Sequence, residues 1–232
     1  MDLNREEEFS KIIEEIINCN RCPELIKYIR EVAIKKKKQY RSEKYWGRPV
    51  PPFGDLNAEL VILGLAPAAH GGNRTGRMFT GDSSGDFLIK TLYKFGFSNQ
   101  PFSINNNDGL KLINCYITAS IKCAPPGNKP TKSELENCSV YLIREFSLLR
   151  KCKCIVILGR TAFDNFFNLF KRIYGYEVKR PKFYHGAILK YEKTPYIILS
   201  YHPSRQNTQT KKLTQEMFDE VFKKAKEIIE NK

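Results

Sequence analysis

The stretch Leu60-Val61-Ile62-Leu63-Gly64-Leu65-Ala66-Pro67 decides the fold. Its apolar run from Leu60 to Leu65 is short, rich in branched side chains and closed by Ala-Pro. That pattern suits a strand buried in a parallel sheet better than it suits a helix. Similar runs stand at 112–118, 154–158 and 196–199, and helical patterns separate or follow them at 87–95, 132–150, 161–174 and 213–229. Strands alternating with helices predict an α/β fold whose parallel sheet is covered on both faces. Ligands of such sheets sit at the carboxyl ends of the strands, so the loops that follow strands carry the functional information.

Before the first strand, Phe9, Ile12, Ile13, Ile16 and Ile17 recur at helical spacing and predict an amphipathic helix over 6–17. The segment Asn18-Cys19-Asn20-Arg21-Cys22-Pro23 follows, with a second helix starting near Pro23. That helix leads into Lys35-Lys36-Lys37-Lys38-Gln39-Tyr40-Arg41, read as a solvated helix face rather than a phosphate contact. The 232 residues, 41% of them hydrophobic, fit one globular domain over 1–232, with an N-terminal helical segment at about 1–45. No apolar run is long enough to span a bilayer. The opening Met1-Asp2-Leu3-Asn4-Arg5-Glu6-Glu7-Glu8 is acidic, unlike the basic start of a signal peptide, so a cytoplasmic protein with no membrane partner is expected.

Lys and Arg number 39 against 25 Asp and Glu, a formal charge of +14. A lysine-rich solvated surface would account for this, but so large an excess favours a polyanionic partner. Charge alone does not separate DNA from RNA or an anionic membrane. Seven cysteines is an odd number, and with no export signal they point to metal or cluster ligation rather than a disulfide framework.

Three loops follow strands. The first, Gly64 to Asp82, is full of small residues that admit a ligand close to the backbone, and it lacks the G-x-x-x-x-G-K-[ST] phosphate loop. Asp82 or Ser84 is also placed to cap the helix that follows. The second, 119–130, feeds a helix whose start is marked by a Thr131/Glu134 capping box. On that helix Leu135, Cys138, Leu142 and Leu149 share one face, so Cys138 points inward, as a core residue also would. The third, 201–210, places His202 in a polar loop at a strand end.

Together the three loops resemble the b-type, or family-five, uracil-DNA glycosylases. The motifs are Gly64-Leu65-Ala66-Pro67-Ala68-Ala69-His70-Gly71 with Arg77-Met78-Phe79-Thr80-Gly81-Asp82, then Lys122-Cys123-Ala124-Pro125-Pro126-Gly127-Asn128, and finally His202-Pro203-Ser204-Arg205-Gln206-Asn207. The resemblance runs from Cys19 to the final helix. It implies a three-layer α/β/α sandwich with a central four-stranded parallel sheet. Met78 stands where proline is expected and Lys211 where glycine is common.

Four thiolates, from the pair Cys19-x-x-Cys22 and the distant Cys123 and Cys138, suit zinc or a [4Fe–4S] cluster. A zinc ribbon would favour a second tight pair, which is absent, and the resemblance assigns all four as ligands of a structural [4Fe–4S] cluster. Cys115, Cys152 and Cys154 lie in or beside apolar strands and read as small buried hydrophobes.

The activity implied is hydrolysis of the N-glycosidic bond of uracil and other deaminated bases in double- or single-stranded DNA, by a monomer. The target base must leave the stack and enter a pocket. Phe79 matches the residue that stacks on that base, and His202 would bond the leaving base as negative charge develops. Asp82, the only carboxylate in the motifs, is expected to position or activate water, with Asn128 aligning water or base. Ala66 and Ala119 replace polar residues of stricter relatives, which predicts release of hypoxanthine as well as uracil. Arg205, Gln206 and Asn207 are expected at the minor groove. Charge and cysteines alone would also fit a non-catalytic nucleic-acid-binding module with a structural four-cysteine metal site, but that reading leaves the strand-end loops without a purpose.

Overall fold

A computed structural model describes residues 3–231; Met1, Asp2 and Lys232, and with them part of the acidic N-terminal stretch, lie outside the described residues. In chain order the elements are α1 (Leu3–Ile17), α2 (Pro23–Lys35), β1 (Phe53–Gly54), β2 (Leu60–Gly64), α3 (Gly72–Thr75), α4 (Ser83–Lys94), β3 (Cys115–Ala119), α5 (Lys132–Leu148), β4 (Cys154–Leu158), α6 (Arg160–Tyr174), β5 (Ile188–Leu189), β6 (Tyr196–Ser200), α7 (Arg205–Gln209) and α8 (Gln215–Glu230). The sheet has six strands in the order β1-β3-β2-β4-β6-β5, where four were expected. The expected four form its parallel centre, and β1 and β5 add antiparallel edges. Each edge strand has two residues, too few to show any periodicity in a sequence. β3 also starts later than its apolar run: Asn114 takes a left-handed φ of 50° and its side-chain oxygen accepts from the Glu59 N–H, which breaks the strand.

Alternation along the strands divides the core. Leu60 and Ile62 of β2 join Ile117, Val156 and Ile198 under α4 and α8, where Leu88, Leu92, Phe218 and Phe222 cover them. Val61 and Leu63 face the other way, with Ile155, Ile157, Ile197 and Leu199, under Ile12 and Ile16 of α1, Leu142 of α5 and Phe163, Phe166 and Phe170 of α6. These two cores on one sheet make the α/β/α sandwich. A smaller group, Leu25, Ile26 and Ile29 of α2 with Ile121, Cys123 and Ala124, fastens α2 to the loop after β3. The capping box at α5 forms as the sequence predicts, with Glu134 N–H donating to Thr131 Oγ1 and Thr131 N–H to Glu134 Oε2. Among the described residues no helix is long and apolar enough to cross a membrane.

A polar cluster joins the end of β3 to α5 within the core. Lys122, 1% exposed, pairs with Glu145 of α5 at 2.6 Å. Its ammonium also donates to Thr118 Oγ1 at 2.6 Å and to the Ala119 carbonyl at 3.0 Å. Thr118 and Tyr116 hydroxyls donate to the same carboxylate. Two charges out of water are tolerable only because each is paired and further hydrogen-bonded. Lys122→Ala should therefore lower stability by about 3–5 kcal/mol, because it strands the Glu145 charge. Replacing both partners, Lys122→Met with Glu145→Leu, should cost far less. Thermal unfolding of the two variants checks this, and an equal loss in both would contradict it.

Candidate active site

The carboxyl ends of the parallel strands meet around Phe79. Phe79 is 9% exposed and holds a left-handed φ of 48°, an uncommon conformation for a bulky residue and one that costs energy. The fold over-determines it: a Cβ on Gly85 would come within 2.3 Å of the Phe79 carbonyl oxygen, so only glycine lets α4 pass beneath. The Phe79 ring lies against Gly64 at the end of β2, which is in register with Ala119 at the end of β3. From the end of β6, the His202 ring stacks on Phe79 with centroids 6.0 Å apart and planes 30° apart. Phe79, Ala119 and His202, expected from the sequence to act together, are therefore neighbours. Ala66 packs instead against the small group that contains Ile121 and Ala124.

His202 is packed closely enough that burial pushes its pKa down to about 4. At neutral pH its imidazole is uncharged, with one N–H to donate and no cationic charge to desolvate. Asn207 Nδ2 donates to the His202 carbonyl at 2.8 Å and fixes the backbone there. That bond gives Asn207, expected at the minor groove, a contact that also supports His202. Arg205 and Gln206, its neighbours on α7, are exposed. Lys211, in the position where glycine is common, adopts the left-handed φ of 56° that glycine adopts easily.

Beside this group opens a cleft of about 620 Å³ lined by Asp82, Asn128 and Arg205, together with Lys37 and Gly71. Asp82 has two duties. Its Oδ1 accepts the Ser84 and Gly85 N–H groups at 2.9 and 3.0 Å, capping α4. Its Oδ2 lies over Gly71, where a Cβ would approach within 1.9 Å. Burial raises the Asp82 pKa from its ordinary value, and the two backbone bonds oppose that only in part. A carboxylate of raised pKa on a cleft wall is a better proton acceptor than an ordinary one. Asn128 reaches the cleft from a turn in which it takes φ 58°. The lysine run divides: Lys35 pairs with Glu31 on the helix, Lys36 bonds the Arg41 carbonyl, and Lys37 faces the cleft.

On the other side of Lys122, Cys19, Cys22, Cys123 and Cys138 line one cavity, with Asn137 Nδ2 3.5 Å from Cys22 Sγ. All four are free thiols. Burial raises the Cys123 pKa, and the nearby Cys138, Cys19 and Cys22 raise it further, as expected of sulfurs crowded around a shared space. Cys115 and Cys154 are fully buried in their strands, and Cys152 packs at the edge of the α6 core. The sequence reading did not pick out Glu145. Its signal was present, since it falls on the same helix face as Cys138, Leu142 and Leu149, a carboxylate in an apolar row.

The family model of the uracil DNA glycosylase superfamily matches residues 51–226. The chain is similar to a type-5 uracil-DNA glycosylase of Pyrobaculum aerophilum, 43% identical over 217 residues that cover 94% of this chain and 92% of that one. Similarity to a type-5 uracil-DNA glycosylase of Thermus thermophilus is 44% over 216 residues, covering 93% and 96%. A type-4 uracil-DNA glycosylase of Archaeoglobus fulgidus is 29% identical over 227 residues, covering 97% and 96%.

The depressed pKa of His202 has a measurable consequence. A free histidine titrates near 6.5, so between that pH and about 4 the unfolded chain holds a proton that the folded site refuses. Stability should therefore fall as pH drops through that window and be insensitive to His202 above it. In an NMR titration the His202 ring should keep its neutral shifts through pH 6. A midpoint near 6.5 would show that the ring is not buried as described.

Proposed function

The chain belongs to the uracil DNA glycosylase superfamily, and from that premise we propose that it is a monofunctional glycosylase that hydrolyses the N-glycosidic bond of uracil in DNA and also accepts hypoxanthine and other deaminated bases. The observation that carries this reading is the stack of a neutral His202 on Phe79 beside Ala119. Bond cleavage leaves positive character on the sugar and negative charge on the departing base. The Phe79 face takes up the extruded base, whose unstacking costs a few kcal/mol and is easiest at a mispair. His202 donates its N–H to a base carbonyl as charge arrives, without presenting a cation that the ground state would also bind. Asp82 Oδ2 orients water from the cleft and accepts its proton, while Oδ1 remains bound at the helix start. Lys37 and Arg205 at the cleft mouth are suited to phosphates, whether the DNA is single- or double-stranded.

Breadth of substrate follows from what the pocket lacks. A site rejects the wrong base when that base leaves buried polar groups unpaired. Ala119, beside the Phe79 ring, has no side-chain polar atom to leave unpaired, and Ala66, which packs against Ile121 and Ala124, brings none either, so selection falls to ease of extrusion and to the carbonyl that uracil and hypoxanthine share. In single-turnover assays on matched duplexes the protein should release both bases, generating abasic sites. His202→Ala should slow both by about 10²–10³-fold, the usual loss for one donor to a developing anion. Uracil release with no hypoxanthine release would defeat the broad-pocket reading, and absence of both would defeat the glycosylase.

We propose that Cys19, Cys22, Cys123 and Cys138, which line one cavity, hold a [4Fe–4S] cluster, with the Asn137 amide supplying a donor to sulfur. When bound, the cluster would supply a rigid tie between the start of α2, the loop after β3 and α5. Anaerobically purified protein should be brown, with iron and sulfide in equal amounts. Stoichiometric zinc in a colourless sample would overturn this assignment.

A further inference from the structure

Between α4 and β3 the chain makes an excursion over 95–114 that supplies none of the site residues described above. Its tip carries Phe102 and Ile104, 46% and 59% exposed, next to the exposed amides of Asn105, Asn106 and Asn107. Single exposed apolar side chains are ordinary on any surface. Two on one braced tip beside a cleft are not.

The brace comes from the same motif as Phe79 and Asp82. Arg77, 6% exposed, sends one Nη2 to both Asp108 oxygens and to Ser103 Oγ, each at 2.8 Å, while its Nε reaches Thr80 Oγ1. Asp108 in turn accepts the backbone N–H groups of Ile104, Asn105 and Leu110. The Gly81 N–H donates to the Ser103 carbonyl, and a Cβ on Gly81 would lie 3.1 Å from the Ile104 carbonyl oxygen. Gly81 itself lines the cleft with Asp82. A buried arginine–carboxylate pair, in which one guanidinium nitrogen faces both carboxylate oxygens, thus fixes the tip at the cleft's edge, although the side chains at its end bury little against the protein.

We infer that the 102–107 tip is a second contact with duplex DNA, an inference that rests on the glycosylase reading. Phe102 and Ile104 press on sugars and base edges beside the extruded nucleotide and exclude water from the gap, as apolar wedges do in a minor groove, while the asparagine amides reach phosphate oxygens. The apolar pair then helps only when there is a second strand and a stack to hold apart. A single strand, which needs no opening, gains nothing from it.

The test is the double variant Phe102→Ala/Ile104→Ala, with Tyr93→Ala/Ile113→Ala, also exposed apolar side chains, as the control pair. Single-turnover uracil release is measured on a duplex and on the same sequence as a single strand, together with affinity for a duplex carrying an uncleavable abasic analogue. The tip variant should lose about tenfold in duplex rate and in duplex affinity, the scale of removing two modest apolar contacts, with the single-strand rate unchanged. Duplex rate and affinity within about twofold of the parent would overturn the inference and leave the patch to a protein partner or a second copy. Equal losses on both substrates would also overturn it, showing that the tip merely supports the site. If the double variant fails to fold, Ile104→Ser alone gives the same comparison. Should the parent protein release no uracil from either substrate, the glycosylase reading fails, while the affinity comparison still judges the tip.

Discussion

A lysine ammonium and a glutamate carboxylate, both taken entirely out of water, hold the middle of this molecule. Lys122 and Glu145 join the loop after β3 to the inner face of α5. Everything distinctive about the protein hangs from that loop: Ala119 on the Phe79 side, Cys123 on the thiol side, and Asn128 at the cleft. Because the Lys122 ammonium also bonds the Ala119 carbonyl, the end of β3 cannot shift without exposing one of the two charges to an apolar surrounding. An apolar pair in the same place would tolerate sliding. The ionic one has a single satisfied geometry, and that constraint sets where the two sites lie relative to each other.

The candidate active-site residues are held by similar double commitments. Asp82 caps α4 with one oxygen and meets the cleft with the other, so the helix that supports the site also fixes its carboxylate. Phe79 is kept left-handed by the passage of α4 beneath its carbonyl, and its ring is thereby presented flat to His202. Asn207 fixes the His202 backbone from the following short helix. In the reaction proposed above, little reorganisation would be left for the chemical step, which is how preorganised dipoles act on a developing charge.

Much of this was legible in the sequence. The four parallel strands, the helices between them and the loops at the strand ends follow from apolar runs and loop composition, because strands buried on both faces leave an unambiguous pattern, while Phe79, Ala119, Asn128 and His202 were singled out within those loops by the family resemblance. What was not legible lay in long-range pairing. Nothing in the spacing of Phe53-Gly54 or Ile188-Leu189 announces a strand, since two residues have no period. Lys122 and Glu145 are separated by a turn, a helix start and four helical turns, and only the fold shows that one neutralises the other. The bond from Asn207 to the His202 carbonyl was not legible either, because its acceptor is a backbone carbonyl and every residue has one of those. Asp82 could be read either as a cap or as a cleft carboxylate, and it is both.

The two short edge strands have a consequence for how copies of the protein meet. A parallel sheet that ended at β3 and β6 would present full rows of unpaired amide and carbonyl groups, ready to continue into a strand from another molecule. β1 covers β3 at Ile117 and Tyr116, and β5 covers β6 at Ile198 and Ile197, each running the opposite way and stopping after two residues. Neither outer row is long enough to template a neighbour, and a basic surface adds repulsion to any approach edge to edge. Crowded along a polyanion, where many copies would sit side by side, the molecule is guarded against sheet-to-sheet aggregation by four residues, of which Phe53 and Leu189 also pack against the two cores.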